Sequence, residues 1–367
     1  MSFAITEVQT MLADMLTRLL AEQNEFEARR HRLAGPAPDR LALWPLLAGQ
    51  GVLGAAFPEE FGGFGGSLRD LAVIMERAGQ SLAVEPLLAS TVCGRILLAA
   101  GEADQLAGLI AGTRILAFAH MEGFDPFTPP ATRASPQNSA FILNGAKLAV
   151  RHADLAHGLI VTATLDGAPA CFLVEADAPG LHRESFRLLD ASSAATLTFT
   201  NTPARRLAGA EALSEALLWL HAGLAAEVSG IADALNTATF AYLNTRKQFG
   251  IPLAGFQALQ HRAADMFAAA EEVRILTARA ITAIDTAAPG RFALASAAKA
   301  VADDAGRKIG HEAVQLHGGM GVSDELNISH YMRRLAAIRA ELGSADIHRA
   351  RFASLTETPT HGAPHAA

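Results

Sequence analysis

The residues that could do chemistry are few and widely spaced. Glu271-Glu272 and Asp303-Asp304 are adjacent carboxylates, but neighbours on a helix point apart, so both pairs are expected to be solvated faces. The 13 histidines are scattered, with no His-Glu-x-x-His pattern and no His/Asp/Glu cluster, so no metal site is expected. No Gly-x-Ser-x-Gly run exists, which removes the α/β-hydrolase nucleophile. Cys93 and Cys171 have neither zinc nor redox spacing and read as small buried hydrophobes in a reducing cytosol. Two glycine-rich runs, GGFGG at 62–66 and HGGMG at 317–321, could present bare backbone N–H groups to a phosphate. Neither follows a strand and opens a helix within a βαβ unit, so the dinucleotide fingerprint fails and each reads as a tight loop between helices. HGGMG still suits a phosphate or an adenosine portion, because glycine lets backbone approach a ligand closely.

The elements that must position such residues follow from the 367-residue chain, long enough for two or three domains. Half of it is apolar and 18% is charged, so it can bury a core. A net charge of −7 argues against a nucleic-acid binder, which needs Lys and Arg to neutralise phosphates. The start, MSFAITEVQTMLADML, is acidic and lacks the basic segment of a signal peptide. Leu41 to Pro58 is uncharged for 18 residues, but Pro45, Gly49, Gly51 and Gly54 make it a broken helix plus loop. A cytoplasmic protein without a membrane span is expected.

Residues 1–112 read as helical, with Leu12, Met15, Leu16, Leu19 and Leu20 on one face and SLRDLAVIMERAGQ ending near Gly79 as a C-cap. Residues 113–208 carry apolar runs divided by Asn144-Gly145 and Asp166-Gly167, both hairpin signals, and read as an antiparallel β domain. Residues 209–355 return to helix. Phe256, Leu259, Ala263, Phe267, Ala270 and Val273 share one face, and Pro289-Gly290 turns between two long helices. The polar tail 356–367 is expected to be mobile. The fold class is therefore α+β multidomain: N-terminal helical domain, middle antiparallel β domain, C-terminal helical bundle of four-helix type.

Specificity enters with RKQFG at 246–250, then a short loop, then FQALQH opening a helix, followed by AVQLHGGMG at 313–321. These two segments, with FPEEFGGFGG near the N-terminus and the helical–β–helical order, resemble the acyl-CoA dehydrogenase family over nearly the whole chain. Within it, GGMGVSDELNISHYMRRL most resembles small subunits of the pimeloyl-CoA dehydrogenase type. The resemblance implies FAD held between subunits. By matching positions, Arg246 and Phe249 would reach the pyrophosphate and adenosine of a neighbouring protomer's FAD, a guanidinium suiting that dianion through paired hydrogen bonds. Gln257, Gln315, Gly318 and Gly319 would line the same half. Taken alone, Arg246 would read as a surface cation at a helix C-terminus. Near the flavin ring, Glu122 matches the family Glu, Met121 replaces the usual Thr, and Ala149 and Arg151 stand where a Trp and a Thr often are.

The implied reaction takes an α-proton from an acyl thioester with a base and passes a β-hydride to the flavin, giving a 2,3-enoyl thioester. In many members the base is a Glu directly before a Gly. Here the ungapped match is Leu342, and Glu341 sits one residue early. The family's other position, on the helix leading into RKQFG, falls at about Leu220, followed by His221. Glu227, two turns on and on nearly the same face, is the leading base candidate and Glu341 the second. Glu227 in LAAEVSG also reads as a structural partner for an Arg, since a buried acid must be paired or functional.

Two functions follow from the resemblance. One is an FAD-dependent acyl-CoA dehydrogenase for an unusual acyl group (carboxylated, branched or ring-bearing) that passes electrons to an electron-transfer flavoprotein. The other is a non-catalytic subunit completing the FAD site of a heterotetrameric dehydrogenase, which the missing Glu at 342 favours. A flavin monooxygenase of the same superfamily is opposed by the retained FAD-dehydrogenase signatures. A homotetramer or a heterotetramer with a sister subunit is expected in either case, with no nucleic-acid or membrane partner.

Overall fold

The computed structural model describes residues 6–36, 39–138 and 140–357. Helices come first: α1 (Glu7–Gln23), α2 (Phe26–Ala34), α3 (Trp44–Gly49), α4 (Leu68–Ser81), α5 (Leu87–Ala99) and α6 (Ala103–Ile110). Thr6 with Gln9 and Ser67 with Asp70 form reciprocal capping boxes that start α1 and α4. The uncharged stretch from Leu41 holds only α3 and single 3-10 turns. Among the described residues, no helix is long and apolar enough to cross a membrane.

Strands follow: β1 (Leu116–Ala119), β2 (Arg133–Gln137), β3 (Ala140–Arg151), β4 (Gly158–Leu165), β5 (Ala168–Glu175), β6 (Leu181–Arg187) and β7 (Ser193–Gly209). Asp166-Gly167 makes the expected hairpin between β4 and β5, with φ of 51° and 83° as a two-residue mirror-image turn requires. Asn144-Gly145 does not turn the chain. β3 runs through it, paired with β7 on both sides, and the glycine serves another need: Thr132 lies so close that a Cβ on Gly145 would sit 2.6 Å from its Oγ1. The Asn144 side chain instead exchanges hydrogen bonds with Asn201 on β7 across a register shift. Nor is the sheet purely antiparallel. β1 and β2 both run parallel to β4, because other strands intervene in sequence. The pairings β4–β5–β7–β3–β2–β4 close the sheet on itself around Leu143, Val161, Phe172 and Leu197.

The C-terminal part comprises α7 (Ala210–Thr245), α8 (Gln257–Asp285), α9 (Arg291–His317), α10 (Asn327–Ala340) and α11 (Ala345–Thr356). The turn at Pro289-Gly290 lies between α8 and α9, as expected. The apolar face read along α8 is split: Met266, Ala270 and Val273 are buried, whereas Phe267 is 56% exposed. Gly79 is not a C-cap. α4 continues past it to Ser81, and Gly79 is where α4 presses on α7: a Cβ there would lie 2.3 Å from the Glu227 carbonyl oxygen. Gly230 on α7 makes the reciprocal contact with the Glu76 carbonyl, at 2.0 Å for the added Cβ. Two glycines thus let the backbones touch and fix the height of Glu227. Asp303 is also not solvated. It is buried and accepts two hydrogen bonds from fully buried Lys299, at 2.7 and 2.8 Å, while Asp304 faces out and pairs with Arg349. The remaining tail, 358–367, lies outside the described residues.

Candidate active site

A cavity of about 600 Å³ lies where the three parts meet. Its walls are the chain around Val84–Ala89, Phe118 and Met121, residues 148–152 at the end of β3, Leu188 and Leu189, one face of α7, and α10 with the turn after it. Leu220, Leu224 and Glu227 face it from α7 at helical spacing. The lining is mostly apolar, and Ala83, Ala89, Ala149, Ala336, Ala337 and Ala340 keep it wide.

Besides Glu85, His120 and His152, the polar part of the wall is Arg151, Glu227, Arg334 and Glu341, which form one ion-pair cluster with Asp190. Arg334 on α10 holds Glu227 with two parallel bonds, Nε to Oε1 at 2.6 Å and Nη2 to Oε2 at 2.7 Å. Its Nη1 reaches Asp190 Oδ2 at 2.9 Å and Glu341 Oε1 at 3.3 Å. Arg151 bridges the same two acids, with Nη2 3.1 Å from Asp190 Oδ2 and Nη1 2.6 Å from Glu341 Oε1. Burial opposes ionisation of Asp190, but Arg151, Arg334 and the Ser192 hydrogen bonds win and hold its carboxyl far below the usual range. Burial likewise opposes the charge on Arg334, and Glu227 and Glu341 overcome it. Three carboxylates face two guanidiniums, so the cluster carries one negative charge in excess.

The two acids that sequence singled out as rivals, Glu227 and Glu341, therefore meet on one arginine. They differ in freedom. The Glu227 side chain is 3% exposed with both oxygens bonded, the Arg-partner role open to it from sequence. The Glu341 side chain is 20% exposed and meets both guanidiniums through Oε1. Leu342, at the matching position of the family base, also lines the cavity, with φ of 55° in the left-handed region. Sequence reasoning missed Asp190 and Arg334 altogether. Arg334 stood in MRRL without a function, and only the three-dimensional neighbourhood marks it.

Met121 lines the cavity as well. Glu122 turns onto fully buried Lys147, 2.6 Å from its Nζ, and accepts from the Thr132 N–H. Burial alone would raise the Glu122 carboxyl, but the Lys147 and Thr132 bonds bring it below its ordinary value. Glu122 thus ties down the loop after Met121. His120, pushed down to about 4 mainly by burial, is neutral and spans Thr162 and the Pro126 carbonyl.

Arg246, Phe249, Gln257, Gln315, Gly318 and Gly319 lie elsewhere. Along α7, Arg246 is 19 residues beyond Glu227, about 28 Å at helical rise. Antiparallel α7, α8 and α9 bring all six to one end of the bundle, where Tyr242 stacks on His317 with centroids 4.5 Å apart. All six are exposed, Phe249 at 91%. Gly318 has φ of 60°, and nothing lies within 4 Å of where a Cβ would stand on it or on Gly319. This exposed arginine, two amides and open glycine backbone suit a pyrophosphate and adenosine. Leu148, Ala149 and Met121, small or flexible at the cavity wall, leave a flat ring room beside the acids. The residues fit FAD, provided that the two halves are held by different protomers.

The N-terminal domain model of the acyl-CoA dehydrogenases matches residues 6–112, and their C-terminal domain model matches 208–354. The acyl-CoA dehydrogenase IpdE2 of Mycobacterium tuberculosis is 30% identical over 339 residues, covering 89% of this chain and 91% of that protein. Among solved structures, a variant of the Tcur3481-Tcur3483 steroid ACAD superposes with a TM-score of 0.90 at 34% identity, covering 95% of this chain and 97% of that one. Butyryl-CoA dehydrogenase of Megasphaera elsdenii gives 0.86 at 25% identity, over 96% and 99%.

Proposed function

Because the chain belongs to the acyl-CoA dehydrogenase family, we propose that it is an FAD-dependent enzyme that desaturates a bulky acyl-CoA thioester between its α and β carbons. FAD, when bound, accepts the β-hydrogen as a hydride, and an electron-transfer flavoprotein is the acceptor the reading implies. Arg246, Phe249, Gln257, Gln315, Gly318 and Gly319 of one protomer hold the adenosine and pyrophosphate half; Met121, Leu148 and Ala149 of another face the ring.

Glu341 takes the α-proton. The observation that carries this is the excess carboxylate of the cluster: taking up one proton brings it to neutrality, and Glu341 is its most accessible member. Arg151 and Arg334 hold Oε1 and so orient Oε2. Glu227 takes Nε and Nη2 of Arg334, and Asp190 takes its Nη1 and the Arg151 Nη2, so that neither arginine pins Glu341 as firmly as Arg334 pins Glu227. The apolar walls exclude water from the acyl group, and the alanines admit branches or rings. Glu341→Gln is expected to slow flavin reduction by acyl-CoA by about 10²–10⁴-fold with FAD retained; reduction at the parent rate would remove Glu341 from the role.

Leu342 at the family's base position favours a second reading, a supporting subunit that completes a sister chain's FAD site. The assembly is a tetramer in both readings, and Phe249, Phe267, Ile275, Met320 and Val322, all at least half exposed, supply apolar surface for it. Purified alone, an enzyme carries one FAD per chain and turns over; a supporting subunit is flavin-poor until co-expressed with a larger homologue.

A further inference from the structure

The turn that joins α10 to α11 carries Glu341, Leu342 and Gly343, and its backbone is unusual. Leu342 and Gly343 are consecutive left-handed residues, with φ of 55° and 91°. Such a conformation persists in a non-glycine residue only where surrounding structure enforces it. Two buried donors supply that enforcement from behind. The His348 ring Nε2 lies 2.8 Å from the Leu342 carbonyl oxygen, and Lys299 Nζ donates to the Gly343 carbonyl at 3.3 Å. From the front Pro126 closes on Gly343, where an added Cβ would lie 2.9 Å from the proline Cδ.

Lys299 is the unexpected member. It is 0% exposed, sits in mid-α9, and is aimed by both oxygens of Asp303 one turn on. Burying an ion pair rarely stabilises a fold more than apolar residues of the same volume would. A fully buried lysine that spends a hydrogen bond on the carbonyl two residues from the proposed proton acceptor therefore asks for a role beyond stability.

We propose that Lys299, aimed by Asp303, is a positioning residue: through the Gly343 carbonyl it fixes the turn that presents Glu341 to the acyl α-carbon. The proposal rests on the reading of Glu341 as proton acceptor. Lys299 does not line the cavity. It acts on geometry, where a displacement of about 1 Å can cost about 100-fold in rate.

The test uses the full chain with Lys299→Met alone and with Lys299→Met and Asp303→Leu together. The double variant removes both charges and so avoids an unpaired buried carboxylate. Two readouts are taken. Amide hydrogen exchange followed by mass spectrometry, which needs no cofactor, should show peptides spanning 341–344 exchanging at least about 10-fold faster, with peptides from α7 unchanged. Flavin reduction by acyl-CoA should fall about 100-fold in the double variant, with KM and FAD content near the parent values. Unchanged exchange in the turn, exchange raised throughout the chain, or a parent-like reduction rate would each overturn the role. Glu341→Gln run in parallel separates the two claims. If it leaves reduction intact, the acceptor assignment has failed; if it abolishes reduction while the double variant stays fast, only the positioning role has failed.

Discussion

Glu227 and Asp190 show how burial divides labour among carboxylates of one type. Glu227 is doubly bonded to Arg334; on the reading proposed above it is a structural partner, so Glu227→Gln should cost stability, about 3 kcal/mol for a broken buried pair, while each folded, FAD-loaded chain keeps its flavin-reduction rate within a few-fold. Thermal unfolding beside stopped-flow reduction checks both halves. Asp190 is held far below the ordinary aspartate value by Arg151 and Arg334. A depressed carboxyl contributes stability that is fully present above its unfolded value, about 4, and is lost as pH falls toward the folded one. Asp190→Asn should therefore be most destabilising near neutrality, and its deficit against the parent should shrink below about pH 4 in denaturant titrations. The sequence marked Glu227 because an acid among apolar residues needs an explanation, and Glu341 because it sits one residue before the position that matches the family base. It placed Glu227 ahead of Glu341, because the partners that separate the two, Arg334 and Asp190, are 107 and 37 residues away from Glu227 in the chain.

At the scale of elements, the site depends on close helix contact rather than on side-chain bulk. Gly79 and Gly230 let α4 and α7 touch backbone to backbone at Glu227 and at the residue three further along α7. Gly230→Ala would drive a Cβ to 2.0 Å from the Glu76 carbonyl, so it should destabilise by about 1–3 kcal/mol or more and loosen the cavity. Circular dichroism melts and FAD content of that variant test it. Periodicity made the helices legible, and Asp166-Gly167 made one hairpin legible, because both signals are local. Asn144-Gly145 misled for the converse reason: its glycine answers a neighbour, Thr132, just before β2. Gly79 misled in the same way, since its demand comes from α7. Asp303 looked solvated because its lysine partner lies on the same helix in a run of small residues, and nothing local shows that α9 is central in the bundle.

For the molecule as a whole, the separation of about 28 Å along α7 between Glu227 and Arg246 supports the proposal that two chains share one FAD. The motifs RKQFG and HGGMG made the family readable in the sequence; the acid cluster, midway along α7, is visible only in the fold. Arg246→Ala should lower FAD retention several-fold without shifting the melting temperature of the flavin-free chain, and light scattering should report a tetramer for the parent. The most direct measurement is anaerobic flavin bleaching by a ring-bearing acyl-CoA, followed in the FAD-loaded parent, Glu341→Gln and Glu227→Gln side by side. The account predicts rapid bleaching in the parent, a loss of about 10²–10⁴-fold in Glu341→Gln, and nearly parental bleaching in Glu227→Gln. Loss in Glu227→Gln with a parent-like Glu341→Gln, or no bleaching in a fully flavinated parent, would contradict it.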